Sequence, residues 1–223
     1  MFSTTGLNAF LQKLAIRKKR NRTFVSRVFS AQFRNMAHPH IPPSPGPRFV
    51  RRVPEGDTNE RYVCGDCGHV YYTNPKIVVG SVVVHSGKIL MCRRAIDPRK
   101  GYWTLPAGFL EEHETPEDGA RREALEEACA KITLDALLAV YSVPRISQVQ
   151  LMYRASLETA EFSAGPESLE VKLFAWDEIP WAETAFPSVQ WALNHYWETR
   201  EKAVFAPFVN PAGQNGDAFP RSR

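Results

Sequence analysis

The chain has 223 residues, which is enough for one well-buried core and a small additional segment. Of its 28 Lys and Arg residues, eleven precede Glu55 and 17 follow it, whereas all 24 Asp and Glu residues lie from Glu55 onwards. No apolar run has the length of a membrane-spanning helix, and the acidic balance of the larger part disfavours a nucleic-acid backbone, so we expect neither as a partner.

Residues 1–36 are predicted to be a targeting peptide. They are rich in Arg and Ser, contain no acidic residue, and place Phe10, Leu11 and Leu14 at helical spacing before a basic run. This composition is typical of mitochondrial and chloroplast transit peptides. Residues 27–31 look like a mitochondrial processing site, so we predict mitochondrial import, with chloroplast import as the alternative. A start at Met36 would give a cytosolic form, and a basic nucleic-acid-binding arm is the competing interpretation.

Residues 37–58 are predicted to be a Pro-rich linker, and residues 59–75 a zinc-ribbon-like segment. Cys64 and Cys67 have the spacing of one zinc knuckle, but a structural zinc needs four ligands and a second Cys-x-x-Cys is missing. His38, His40 and His69 are candidate substitutes. The favoured interpretation is a decayed ribbon whose thiols stay reduced.

Residues 76–203 are predicted to form the main domain. Strands are expected at 77–84, 88–94, 102–106, 133–143, 148–157 and 171–176, and an amphipathic helix at 186–200. This pattern alone predicts an α+β domain. Residues 204–223 contain Pro, Gly and Asn without periodicity and are predicted to be a flexible tail.

An acidic helix is predicted after Gly108. Thr115 can cap it and Pro116 suits its first position. Glu123, Glu126 and Glu127 then share about a third of the helix circumference. Like charges this close repel each other unless a cation is present, and hard divalent ions prefer oxygen ligands. A solvated acidic face is the alternative, but a neighbouring stripe of alanines favours close packing and partial desolvation.

The spacing of this stretch resembles the Nudix box. Gly108 is followed by five residues, Glu114, seven residues and then Arg122-Glu123-Ala124-Leu125-Glu126-Glu127. One position differs, because Cys129 stands where the family has Gly, and a left-handed backbone there would suit Cys poorly. The resemblance implies the Nudix fold, an α/β/α sandwich with a mixed sheet between helices.

The resemblance also implies a divalent-metal-dependent hydrolase that cleaves the diphosphate bond of a nucleoside diphosphate linked to another moiety. It predicts Mg²⁺ (or Mn²⁺) bound by Glu123, Glu126 and Glu127, with the Gly108 carbonyl as a further ligand. The general base is open between a box carboxylate, Glu167 and Glu170, and a solvated loop is an equally weighted interpretation of the last two. In the ribbon of related proteins the other knuckle lies upstream, where this chain has prolines.

Four residues are candidates for substrate binding: Arg93, Arg94, Tyr102 and Glu167. Arg93 and Arg94 end a predicted strand and could bind phosphates in a bidentate manner, or balance Glu111 and Glu112. Tyr102 could stack on an aromatic ring of the substrate.

The substrate is inferred from resemblance alone. Residues 74–80, 102–111 and 164–170 resemble a Nudix group that includes plastid FAD pyrophosphatases and bacterial ADP-ribose-type enzymes. This implies a small nucleotide substrate, FAD or ADP-ribose, and a homodimer. NADH pyrophosphatase is an alternative, although of its Ser-Gln-Pro-Trp-Pro-Phe-Pro signature only Ser147-Gln148 is present. A non-catalytic ligand-sensing module is the other alternative, although such domains usually lose box carboxylates.

Overall fold

A computed structural model describes Gly46 and residues 48–216. The predicted targeting peptide, His38 and His40 lie outside the described residues, so targeting stays a prediction. The strands are β1 (Phe49–Arg52), β2 (Arg61–Cys64), β3 (Val70–Tyr71), β4 (Lys76–His85), β5 (Lys88–Arg94), β6 (Trp103–Thr104), β7 (Ala107–Phe109), β8 (Ile132–Val143), β9 (Gln148–Leu157) and β10 (Ser168–Phe174). The helices are α1 (Pro116–Ala128) and α2 (Pro187–Thr199), and three short 3₁₀ turns lie at Pro144–Ile146, Trp176–Glu178 and Trp181–Glu183.

The strands form two sheets. The small sheet has the order β1-β2-β3 and is antiparallel. The large sheet has the order β10-β5-β4-β9-β8, with β6 paired to β5 and β7 paired to β4. It is mixed, because β4 runs parallel to β9 and antiparallel to its other partners. This confirms the predicted mixed sheet, and most predicted strands lie within two residues of their observed bounds.

Strand β4 is the centre of the core because its β-branched residues are buried on both faces. Val83 packs with Ala124 and Ala128 of α1, whereas Val82 packs with Trp191 and other residues of α2. Successive side chains of a strand point to opposite faces, so the two helices cover opposite sides of the sheet. The alanines of α1 let this helix lie close to the sheet, as predicted.

The predicted linker extends too far along the chain. Phe49–Arg52 form β1, which pairs in register with β2 from Phe49 opposite Cys64 to Arg52 opposite Arg61. The Phe49 ring meets Tyr71 edge-on at 6.3 Å between centroids, and Arg51 forms an ion pair with Glu60 at 2.9 Å. The Pro-rich stretch before β1 obscured this strand, since only four residues remain to show its pattern.

The prediction of a flexible tail is wrong for residues 204–216. Phe208 forms two backbone hydrogen bonds of 2.9 Å with β8, through the Leu138 carbonyl and the Val140 amide. Its ring stacks on His195 of α2 at 4.1 Å, and the Trp191 indole donates to Gln214 at 2.7 Å. Single long-range contacts of this kind produce no periodic pattern in a sequence, so the sequence does not predict them.

None of the helices in the described part of the chain has the length and apolarity needed to cross a bilayer.

We predict that Phe208→Ala destabilises the folded state by about 2 kcal/mol, because it removes a stacked ring from the surface of α2. Val209→Ala is the matched control, since Val209 is 69% exposed, and it should change stability by less than about 0.5 kcal/mol. Urea unfolding of both variants measures the difference. Equal midpoints for the two variants would contradict docking of this segment.

Candidate functional site

The ends of α1 are fixed by its caps. At the start, the Thr115 hydroxyl oxygen accepts a hydrogen bond from the Asp118 amide at 3.1 Å, and Pro116 occupies the first helical position. At the end, Cys129 adopts a left-handed conformation with φ of 49°, and its amide donates to the Leu125 carbonyl at 3.0 Å. Cys129 therefore adopts the left-handed backbone that was expected to suit cysteine poorly, at a cost of about 1–2 kcal/mol.

Arg122 joins the loop before α1 to the carboxylates on the helix. Its guanidinium donates twice to Glu114, at 2.7 and 3.0 Å, and once to the Phe109 carbonyl at 2.9 Å. The Nη1 atom also donates to Glu123 at 2.7 Å and to Glu126 at 3.0 Å. The hydrogen bonds from Arg122 to Glu114 hold the pKa of Glu114 below its usual value. Glu114 and Arg122 therefore form an ion pair between the loop and the helix.

Glu123 and Glu127 lie buried against strand β7. Their exposed fractions are 6% and 7%. Burial raises the pKa of Glu123 to about 7, despite the opposing effect of Arg122. Burial and the charge of Glu123 raise the pKa of Glu127 to about 8, although its Oε2 accepts a hydrogen bond from the Ala107 amide at 3.1 Å. Burial and mutual repulsion both disfavour the ionised forms of these neighbouring carboxylates, and a bound cation would offset both effects.

Gly108 is the residue against which the Glu123 carboxylate packs. A Cβ atom at this position would lie 2.4 Å from Oε1 and 2.5 Å from Oε2 of Glu123. Glycine is therefore required here for the position of the carboxylate rather than for the backbone conformation.

The predicted set of three metal-binding carboxylates is only partly assembled. Within the described residues, no group of three or more His, Cys, Asp and Glu side chains is arranged as a ready metal site. The structure brings Glu123 and Glu127 together, whereas Glu126 points to Arg122 and its side chain is 59% exposed. The oxygen donors of Glu123 and Glu127 fit a hard divalent cation, and Glu126 could join them after leaving Arg122.

A loop between β9 and β10 closes the site at the end of α1. The amides of Ser163 and Gly165 donate to the carbonyls of Ala128 and Glu127, at 2.9 and 3.0 Å. A Cβ at Gly165 would lie 1.7 Å from the Glu126 carbonyl oxygen, so only glycine permits this approach. The loop thereby carries Glu167 towards the carboxylates of α1.

The structure separates the two candidate bases. Glu167 is half-buried, and burial raises its pKa, with the charge of Glu126 adding to the rise and that of Arg94 opposing it. Glu170 instead lies opposite Arg93 in a surface pair of 3.8 Å, with its side chain 50% exposed. Of the two candidates, Glu167, also predicted to bind substrate, lies nearer the carboxylates of α1, whereas Glu170 lies on the edge strand β10.

The two candidate phosphate-binding arginines are engaged by the protein itself. Arg93 donates to the Gly101 carbonyl and Arg94 to the Pro98 carbonyl, both at 2.9 Å, so they hold the loop between β5 and β6. Arg94 is buried, and its charge acts on Glu127 and Glu167. The alternative interpretation paired these two arginines with Glu111 and Glu112. Their acidic neighbours in the structure are instead Glu170 for Arg93, and Glu127 and Glu167 for Arg94. The sequence does not predict that the charge of Arg94 lies near Glu127 and Glu167, because this depends on the pairing of β5 with β10.

Tyr102 is covered on one face. The Arg99 guanidinium carbon lies 3.7 Å from the centroid of the Tyr102 ring. This cation–π contact leaves at most the other face of the ring for a substrate.

Cys64 and Cys67 form a knuckle on the small sheet. The Cys64 amide donates to the His69 carbonyl at 2.8 Å, and the Gly68 amide donates to the Cys64 carbonyl at 3.0 Å. Hydrogen bonds from the amides of Cys67 and Asp66 lower the pKa of the Cys64 thiol. Both thiols are free. The described residues supply no third ligand beside them, so a complete zinc site is absent from this part of the chain.

Comparison with known families gives two matches. A NUDIX domain model matches residues 74–192, and a model of the N-terminal zinc ribbon of Nudix proteins matches residues 46–73. The second match begins before β1, so the small sheet corresponds to the ribbon.

Several known proteins are similar to this chain. An ADP-ribose pyrophosphatase from Methanocaldococcus jannaschii is 31% identical over 113 residues, which span 49% of this chain and 67% of the relative. A NAD-capped RNA hydrolase, NudC, from Salmonella heidelberg is 28% identical over 121 residues, spanning 53% of this chain and 46% of NudC. The crystal structure of a NUDIX hydrolase from Nitrosomonas europaea superposes with a TM-score of 0.69 and 46% identity, covering 73% of this chain and 93% of that one.

We predict that Gly108→Ala lowers the hydrolytic rate by roughly 10²-fold, because the new methyl group displaces the Glu123 carboxylate. Stability should change little, since the displaced atoms are the end of a flexible side chain. Gly65→Ala is the control, because its Cβ would lie 3.5 Å from the nearest atom and far from the carboxylates. Steady-state kinetics and thermal unfolding test both variants. A Gly108→Ala enzyme with the wild-type rate would contradict the packing role.

We predict that the metal-free protein loses stability as pH rises from about 5 to about 8. The folded-state pKa values of Glu123 and Glu127, at about 7 and about 8, lie above the ordinary glutamate value of 4.5, so the folded chain retains protons that the unfolded chain has lost. Their stabilisation is complete below pH 4.5 and disappears as pH passes the folded-state values.

Calorimetry in a chelator measures this fall in Tm. The fall in Tm should shrink by several °C in Glu127→Gln and on addition of Mg²⁺ to the wild-type protein. This is roughly the shift expected when a few kcal/mol of lost stability is restored. Identical profiles for wild type and Glu127→Gln would show that the buried carboxylate does not titrate in this range.

Proposed function

This chain belongs to the Nudix hydrolase family, and from that premise we propose that it hydrolyses the diphosphate bridge of a nucleoside diphosphate linked to another moiety. The observation that carries the proposal is the pair of buried carboxylates, Glu123 and Glu127, beside Gly108. A folded chain gains nothing in stability from two desolvated like charges, whereas a diphosphate substrate needs a cation held at such a point.

We assign the divalent cation, Mg²⁺ or Mn²⁺, to Glu123, Glu127 and, once released from Arg122, Glu126. When bound it would neutralise charge on the diphosphate and lower the pKa of a bound water. The chain itself orients the carboxylates, because Arg122 restrains Glu123 and the Ala107 amide restrains Glu127.

Glu167 is assigned the role of general base. Water attacks one phosphorus atom, a new P–O bond forms, and the bridging P–O bond breaks while the proton of the water passes to a carboxylate. A base works best when its pKa lies near the working pH, and burial raises that of Glu167. The positive charge of Arg94 favours the ionised form of Glu167 and so opposes this rise.

ADP-ribose and FAD are the proposed substrates. ADP-ribose is supported by the named activity of the relative from Methanocaldococcus jannaschii, and FAD by the resemblance of residues 74–80, 102–111 and 164–170. A NADH-type substrate is the second candidate, favoured by the NudC relatives, although the chain spans less than half of their length. The presence of every box carboxylate supports catalysis over ligand sensing.

We expect the full chain to release a mononucleotide in a Mg²⁺-dependent screen of FAD, ADP-ribose, NADH, CoA, diadenosine polyphosphates and 8-oxo-dGTP. Glu127→Gln should lower the rate by about 10²-fold or more, because metal and electrostatic effects supply several kcal/mol. Glu112→Gln, a change at an exposed box residue, is the control. No mononucleotide from any compound would favour the sensing interpretation, and near-normal turnover of Glu127→Gln would refute the metal assignment.

Glu167→Gln and Glu170→Gln separate the two candidate bases. We expect Glu167→Gln to lower kcat by about 10²-fold or more and to remove the acidic limb of the pH–rate profile. Glu170→Gln should stay within about threefold of wild type, since it removes only a surface pair. The reverse order of effects would assign the proton transfer to Glu170.

A further inference from the structure

A cleft lies between the small sheet and the edge of the large sheet at which β4 begins. Its volume is about 330 Å³, within the range of small-molecule sites. One wall contains Arg51, Tyr62 and Tyr71, and the other contains Asn74, Lys76 and Ser147. We call it the inter-sheet cleft.

The small-sheet wall is a single row of side chains. Arg51 pairs with Tyr62 across β1 and β2, and Tyr62 pairs with Tyr71 across β2 and β3. Directly paired residues project from the same face of a sheet, so a guanidinium and two phenol rings line one side of the cleft. Tyr71 is 42% exposed, with the edge contact to Phe49 as its aromatic neighbour. Its ring is therefore available to stack on a planar ligand.

The opposite wall leads to the carboxylates. Lys76 donates its amide to the Ser147 carbonyl at 2.8 Å, which joins the starts of β4 and β9. Its ammonium lies 5.2 Å from the centroid of the Phe109 ring, and the Phe109 carbonyl accepts a hydrogen bond from Arg122. Val79 pairs with Gly108 three residues further along β4, a distance of about 10 Å. A ligand can thus extend from the cleft to the buried carboxylates along one strand.

The inter-sheet cleft differs from the carboxylate site in the positive side chains that it offers to a ligand. Arg93, Arg94 and Arg122 around the carboxylates are engaged by backbone carbonyls and glutamates. The inter-sheet cleft offers Lys76 at the end nearest the box and Arg51 beside the tyrosines. Arg51 shares its charge with Glu60, but their exposed pair is weak and can exchange partners at small cost.

We propose that the inter-sheet cleft is the subsite for the adenylate half of the substrate, with its base against Tyr71 and its phosphate towards Lys76. This inference rests on the proposed function, because FAD, ADP-ribose and NADH all contain an adenylate. Aromatic rings and arginine accept a purine by stacking, and a lysine beside them attracts phosphate.

The test measures AMP binding and catalysis separately. AMP is titrated by calorimetry into full-length Glu127→Gln protein, alone and combined with Tyr71→Ala, Tyr71→Phe or Lys76→Met. Tyr71→Ala and Lys76→Met should weaken AMP binding about tenfold, whereas Tyr71→Phe keeps the ring and the affinity. Lys88→Met, an exposed change on the distant β4–β5 turn, is the matched control for Lys76→Met.

The same changes in the active enzyme should raise KM for the hydrolysed substrate about tenfold and leave kcat within about threefold, as expected for an interaction made equally before and during the reaction. Unchanged KM and AMP affinity in Tyr71→Ala and Lys76→Met would overturn the proposal, as would absence of AMP binding. Weaker AMP binding with unchanged KM would assign the cleft to a free nucleotide and also overturn it. If the wild-type enzyme hydrolyses nothing but AMP binding still depends on Tyr71, the proposed function fails and nucleotide binding in the cleft stands.

Discussion

The burial of two like-charged carboxylates against one strand is the constraint on which the rest of this structure depends. Glu123 and Glu127 are one helical turn apart, and both are buried, with Glu123 beside Gly108 and Glu127 hydrogen-bonded to the Ala107 amide of β7. One pKa unit corresponds to about 1.4 kcal/mol, so ionising Glu127, with its pKa near 8, costs several kcal/mol relative to an exposed glutamate. The core of the domain, formed where α1 and α2 cover both faces of β4, supplies the stability that permits this arrangement.

Arginine and glycine residues determine where these two carboxylates can lie. Arg122 links Glu114, Glu123 and Glu126 in one network, so hydrogen bonds fix the loop before α1 to the helix. Gly108 leaves space into which the Glu123 carboxylate fits. An arginine elsewhere on the helix would neutralise the carboxylates without orienting them, which explains why the spacing of the box matters more than its acidic content.

Local signals in the sequence were sufficient for much of the fold. Strands β4, β5, β8 and β9 and both helices were predicted because alternation, periodicity and caps act within a few residues. The docking of Phe208 on His195 was not predictable, since it joins two segments by one ring contact. The choice between Glu167 and Glu170 also depended on register: Ser168 lies opposite Arg94 and Glu170 opposite Arg93, with a bulge between them, and a bulge has no sequence period.

The end of α1 shows why the site extends beyond the box. Cys129 holds a left-handed conformation that costs more for cysteine than for glycine, so the last turn has less intrinsic stability than in a helix ended by glycine. The amides of Ser163 and Gly165 compensate by binding the carbonyls of Ala128 and Glu127. Because the same loop carries Glu167, fraying of the helix end would displace the Glu167 carboxylate together with that of Glu127. The cap of the helix and the position of Glu167 are therefore one structural feature.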